Sequence, residues 1–168
     1  MSRDELHSPS PFNGPVESGL RAAVLLYAIH PEFASLQRLV VFDYLLIHSD
    51  DIPGGPAGLH PKTPYRSGEL LVRRDTLRRG MLLYMSRGLI SNHYRESGIE
   101  YSATKRTGAF LDALASEYTR ALCERAEWVA ERFGSNSDQD LDMLVKEHLG
   151  EWGAEFEMDS VLWSEDAS

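Results

Sequence analysis

The stretch S-G-E-L-L-V-R-R-D-T-L-R-R-G-M-L-L-Y-M-S-R-G-L-I-S-N-H-Y-R-E-S-G-I-E-Y-S-A-T, residues 67–104, decides the fold. Ser67 suits the N-cap of a short helix, Gly68–Arg73, and Arg74 or Asp75 opens a longer helix that ends at Gly88, where glycine accepts a left-handed cap. Two β-prone runs follow, 89–94 and 99–104, joined by the polar turn Arg95-Glu96-Ser97-Gly98, a hairpin signal. Short helix, longer helix, hairpin is the order of a winged helix-turn-helix. The longer helix would take the recognition position and the hairpin would be the wing.

Working outward, the flanks read as helices. Pro15 opens one over Val16–His30, and Ser35 caps another over Leu36–His48. At 100° per residue both are apolar nearly all round, so each expects neighbours on two sides, within the domain or on another chain. Asp50–Tyr65 holds four prolines and three glycines and reads as an ordered loop. Helices are expected over Lys105–Ala115, Glu117–Phe133 and, capped by Ser137, Gln139–Leu149. The expected class is mainly α (α+β): a winged helix-turn-helix-like core with a β-hairpin wing and additional C-terminal helices. Residues 1–14 form a loose lead-in, 15–156 one α-rich domain, and 157–168 an acidic tail with Trp163 as a docking point.

Charge is distributed in blocks. The 168 residues carry a net charge of −9. Residues 1–59 are net −4, residues 60–106 net +6 and residues 107–168 net −11. The overall acidity argues against a protein whose whole surface grips nucleic acid, yet the middle offers a positive belt. A single cysteine, Cys123, excludes an internal disulfide framework and a cysteine-based zinc module. The first ten residues have no apolar core, and the uncharged run Ala22–Pro31 is half of what a membrane helix needs, so a cytoplasmic location without membrane attachment is expected.

On a wheel of the longer helix, Leu77, Met81, Tyr84 and Met85 share a core-facing arc. The opposite arc carries Asp75, Arg79, Gly80, Leu83, Ser86 and Arg87, with Leu83 near its middle. Three destinations fit Leu83: a C-terminal helix of the same chain, a partner protein, or nucleic acid. An outward leucine among arginines suits a protein surface better than base edges. The belt comprises Arg66, Arg73, Arg74, Arg78, Arg79 and Arg87, with Arg95, Lys105 and Arg106 on the wing. These residues meet phosphate, a partner's carboxylates, or the fifteen acids downstream.

Catalytic patterns are sparse. His48, Asp50, Asp51 and His60 cluster in or beside the Pro/Gly loop, but their spacing matches no metal signature. Cys123 sits mid-helix among apolar neighbours and reads as an inert thiol. Asp43 falls on an apolar arc and needs a cationic partner, Arg21 or Arg66. Neither a nucleophile elbow nor a phosphate-binding glycine loop occurs. No catalytic residue, metal ligand, cofactor or small-molecule substrate is expected.

The stretches F-N-G-P-V-E-S-G-L-R (12–21), L-Q-R-L-V-V-F-D-Y-L-L-I-H-S-D-D (36–51), L-H-P-K-T-P-Y-R-S-G-E-L-L-V-R-R (59–74) and W-G-A-E-F (152–156) resemble the middle component of bacterial ABC-three-component systems. The likeness spans roughly residues 12–156. That resemblance implies a small protein working with an SMC/Rad50-like ABC ATPase and an effector, often a nuclease, as in Lamassu-type antiphage defence. It points to a non-enzymatic adaptor that controls the effector when foreign DNA is sensed, with any DNA contact made through the complex. The residues alone leave two rivals: a stand-alone winged-helix DNA-binding regulator, and an enzyme using His48, Asp50, Asp51 and His60.

Overall fold

The computed structural model describes residues 14–60 and 69–148. In chain order the elements are α1 (Pro15–Ala28), β1 (Ala34–Ser35), α2 (Leu36–Ile47), a 3₁₀ turn (Ser49–Asp51), α3 (Glu69–Ser86), β2 (Ile90–Arg95), β3 (Gly98–Ala103), α4 (Thr107–Ala113), α5 (Glu117–Phe133) and α6 (Asp138–His148). The chain is therefore a mainly helical α+β protein, with six helices and one antiparallel sheet of order β1-β3-β2 among the described residues. None of those helices is long and apolar enough to cross a membrane.

Local chemistry sets most boundaries. Pro15 occupies the first turn of α1, where its missing N–H costs nothing. The Ser35 hydroxyl accepts the Arg38 N–H at 3.1 Å, and the Ser116 hydroxyl accepts that of Thr119 at the same distance. At α6 the exchange is reciprocal: Ser137 Oγ accepts from the Asp140 N–H at 3.1 Å, and Asp140 Oδ2 accepts from the Ser137 N–H at 3.2 Å. That is a capping box with Asp in the Glu position.

The expected hairpin is present. Ile90 pairs with Ala103, Asn92 with Tyr101 and Tyr94 with Ile99, and the turn closes at Gly98, whose φ of 124° is glycine territory. Two residues not expected as strand, Ala34 and Ser35, add β1 to β3 opposite Tyr101 and Glu100. The sheet is fastened to α4 by Thr107, fully buried, whose hydroxyl donates to the Leu89 carbonyl at 2.9 Å.

The core answers where the two all-round apolar helices turn. Leu39–Ile47 of α2 is buried without interruption, and so is Ser18–Leu26 of α1. Helix α1 runs between α3, α5 and the sheet, and α2 is covered by α5, α6 and α3. Both find their neighbours inside the domain, so their apolarity requires no second chain.

The expected break between a short helix and a recognition helix is absent. Helix α3 is continuous over eighteen residues, and 48–68 separate it from α2, instead of the three or four residues of a helix-turn-helix. Asp75, one of the two residues expected to open the longer helix, instead lies within α3 and reaches forward to Arg79 at 3.0 Å and Arg78 at 3.4 Å, pairs natural to a helix interior. Thr76 Oγ1 donates back to the Val72 carbonyl at 2.8 Å. Nothing between Val72 and Thr76 bars the helical conformation, so the helix simply runs through.

Glycine decides how α3 packs. Gly80 is buried against Gly19 of α1, and a Cβ on Gly80 would collide with the backbone of Pro15 and Gly19. Two facing glycines let the helices touch backbone to backbone. Leu77, Met81 and Tyr84 fill the rest of the contact.

Candidate functional site

Three groups of side chains carry the chemistry anticipated from sequence. The first is buried. Asp43 has no solvent exposure and receives Arg21 Nε at 2.6 Å, with Arg73 Nη1 3.8 Å from its second oxygen. Arg21, the expected partner, is itself buried. Burial would lower its pKa, but the Asp43 carboxylate more than offsets this and leaves it raised. Arg73, expected on the outer belt, is a second partner that the sequence reading missed. Arg66, the other expected partner, lies outside the described residues, as do Ser67 and Trp163.

His48 and His60 lie near this pair. His48 is buried beside Tyr44, the Tyr44 hydroxyl donates to Asp51, and His60 Nε2 stands 2.9 Å from the Tyr118 hydroxyl. Burial, then Arg21, lowers the His60 pKa to about 4, while burial and then Arg73 lowers that of His48. The structure thus brings Asp50, Asp51 and His60 within electrostatic reach of His48, with Asp50 exposed and Asp51 and His60 half-buried. Among the described residues no three acidic, histidine or cysteine side chains are placed to hold a metal ion. Cys123 is half-buried, and burial followed by Glu127 raises its pKa, which suits a poor nucleophile.

The second group is the outward face of α3. Gly80, expected there, faces α1, and this turns the helix so that Leu82, not Leu83, stands in the open at 52% exposure. Val72 is 66% exposed three turns earlier. At 100° per residue Val72, Asp75, Arg79, Leu82 and Ser86 form one stripe, with Arg78 beside it. Arg78 and Arg79 share the single carboxylate of Asp75, so the stripe keeps a net positive charge. Arg74 is half-buried at its edge.

The third group is split across the hairpin. Arg95 is committed: it pairs with Glu100 at 2.9 Å and covers the Phe33 ring at 4.6 Å, with Phe33 stacked on His93. On the other face Tyr94, 80% exposed, stands opposite Ile99. Arg87, Lys105 and Arg106 meet away from the wing tip, around a groove floored by Leu83, Tyr84 and Phe110. The expected belt is therefore no single surface.

The model of the ABC-three component (ABC-3C) system Middle Component 2 family matches residues 11–155. The chain belongs to that family. Middle Component 2 membership makes this chain part of a three-component ABC system. No curated protein and no solved structure gives a significant match. The matched region contains the buried Arg21–Asp43 pair, the α3 stripe and the hairpin, so all three groups belong to the Middle Component 2 portion of the chain.

Proposed function

We propose that this Middle Component 2 protein is a non-enzymatic adaptor, joining an SMC/Rad50-like ABC ATPase to an effector and holding that effector in check until foreign DNA is sensed. The observation that carries the reading is the α3 stripe. Val72 and Leu82 are apolar and exposed on one helix face, with Arg78 and Arg79 beside them, in a domain where Ser18–Leu26 of α1 and Leu39–Ile47 of α2 are buried. Apolar anchors amid arginine are the composition of protein interfaces. The imidazoles of His48, buried, and His60, half-buried, are engaged by Tyr44 and Tyr118, an arrangement suited to holding the loop rather than to turning over a substrate.

The test is co-purification of the full chain with the proteins encoded beside it. In Leu82→Asp/Arg79→Glu the partner ATPase or effector should be lost while the melting temperature stays within about 2 °C, since both positions are exposed. Undiminished co-purification would remove α3 as the adaptor surface.

A stand-alone winged-helix DNA-binding regulator is the second reading. It is favoured by the element order α1-β1-α2-α3-hairpin and by the attachment of β1 to the hairpin. It places α3 and the wing on a duplex and predicts retention that weakens steeply with salt. The long 48–68 connection and the exposed leucine weigh against it.

A further inference from the structure

Arg87 follows α3, and Lys105 and Arg106 follow β3; all three are exposed and make no ion pair among the described residues. They rim a groove of about 720 Å³ floored by Val16, Leu83, Tyr84, Leu89 and Phe110. The floor is fixed. Tyr84 donates its hydroxyl to the Val16 carbonyl at 2.9 Å and meets Phe110 edge to face at 5.9 Å, while Leu89 is buried behind them. Arg106 lies across Gly88, where a Cβ would stand 3.1 Å from its guanidinium. Three cations around an apolar, aromatic floor fit an acidic polypeptide with a bulky anchor. A phosphate backbone would use the rim and leave the floor unfilled.

A segment with that chemistry belongs to the chain itself. Residues 149–168 contain six acidic residues and no lysine or arginine, and carry Trp152, Phe156 and Trp163. We propose that the groove receives this segment, with Trp163 seated against Tyr84 and Phe110 and with Glu165 and Asp166 facing Arg87, Lys105 and Arg106. Reach is sufficient: the fifteen residues from His148 to Trp163 extend up to about 50 Å, and a domain of this size is roughly 40 Å across. Tethering also decides between this tail and an identical one on a second chain. A tether of this length gives an effective concentration on the order of 1 mM, so an intrinsic dissociation constant of about 100 µM leaves the groove some nine-tenths occupied in cis.

Photo-crosslinking in the full chain tests this, with benzoylphenylalanine replacing Trp163 and the adducts mapped by mass spectrometry. The expected result is intramolecular crosslinks to peptides containing 83–89 or 105–110. Their yield should fall at least fivefold in Arg87→Glu/Lys105→Glu/Arg106→Glu and recover when Glu165→Lys/Asp166→Lys is added. The rim residues are exposed, and an unchanged melting temperature verifies the fold of each variant. Crosslinks elsewhere, between chains only, or indifferent to the rim charges would overturn the proposal. So would wild-type retention of a short DNA duplex that the rim variant loses while its crosslinks persist, because nucleic acid would then be the occupant.

Discussion

Replacing Asp43 with asparagine is the sharpest perturbation of the fold. The carboxylate has no solvent exposure, and the guanidinium bonded to it at 2.6 Å is only 2% exposed. Asparagine keeps the volume and one acceptor oxygen but removes the charge. Arginine does not deprotonate to escape burial at neutral pH, so Arg21 loses its bonded counter-charge inside the core, with Arg73 close by. Breaking a buried pair in this way costs about 3–5 kcal/mol. For a domain of this size about 1 kcal/mol moves the melting temperature roughly 2–4 °C, so Asp43→Asn should melt about 10 °C below the wild type or lower. Thermal unfolding at pH 7, followed by circular dichroism and calorimetry, reads this directly. The companion variant Arg21→Met/Asp43→Leu removes both charges and should recover most of the loss, since apolar replacements of buried pairs are often neutral or stabilising. Arg73, partly exposed, can turn to water in that variant. An Asp43→Asn melting point within about 3 °C of wild type would refute the electrostatic account. A double variant as unstable as the single would instead assign the effect to packing.

Acidification should destabilise the domain through His60, whose pKa falls from 6.5 to about 4 in the folded state because of burial and then Arg21. Between those values the unfolded chain binds the proton and the native one does not, so stability drops as pH falls from about 6.5 and levels off below about 4. The ring is partly accessible, which limits the loss to about 1–2 kcal/mol; urea titrations at pH 7 and 4.5 measure it, and His60→Gln should flatten the slope. Gly80→Ala should cost about 1–3 kcal/mol, because its new methyl meets backbone of α1 rather than a movable side chain; an unchanged melting temperature would deny the Gly19–Gly80 contact. Ser137→Ala should cost about 1 kcal/mol by opening the capping box, seen as faster amide exchange over 138–142.

What the sequence made legible was local. Helix α5 spans the expected 117–133, and the hairpin follows from alternation interrupted by one glycine at the turn. Asp43 needed a cation because every neighbour on its arc is apolar, and Arg21 was a named candidate. The failures share a cause, which is that long-range packing overrode a local cue. By sequence Asp75 is a candidate helix opener, but Arg78 and Arg79 use its carboxylate within a helix that begins at Glu69. Ala34-Ser35 has no strand signature of its own and becomes β1 only by lying against Tyr101 and Glu100. Arg73 counted as a surface charge because its acid is thirty residues away on another helix. A wheel drawn for α3 alone placed Leu83 at its outward centre. The true inward face is set by the Gly19–Gly80 approach, which turns Leu82 outward and sends Leu83 to the groove.

That last displacement changes the kind of association the protein supports. Helices α1 and α2, whose apolar circumference invited a second chain, are consumed by the domain's own core. Among the described residues, what remains outside is scattered in small patches: Val72 and Leu82 on α3, the Tyr94–Ile99 pair on the hairpin, Val16 and Tyr27 at the two ends of α1, Leu114 after α4 and Met143 on α6. Obligate interfaces resemble a core cut in half, with large apolar areas that leave a lone subunit unstable. A few anchors set among exposed arginines resemble instead the polar-rimmed patches of partners that meet and part. A regulated adaptor requires the second kind. Its contacts must differ between two states by a few kcal/mol, and a self-sufficient domain with small anchors can lose such a contact without unfolding.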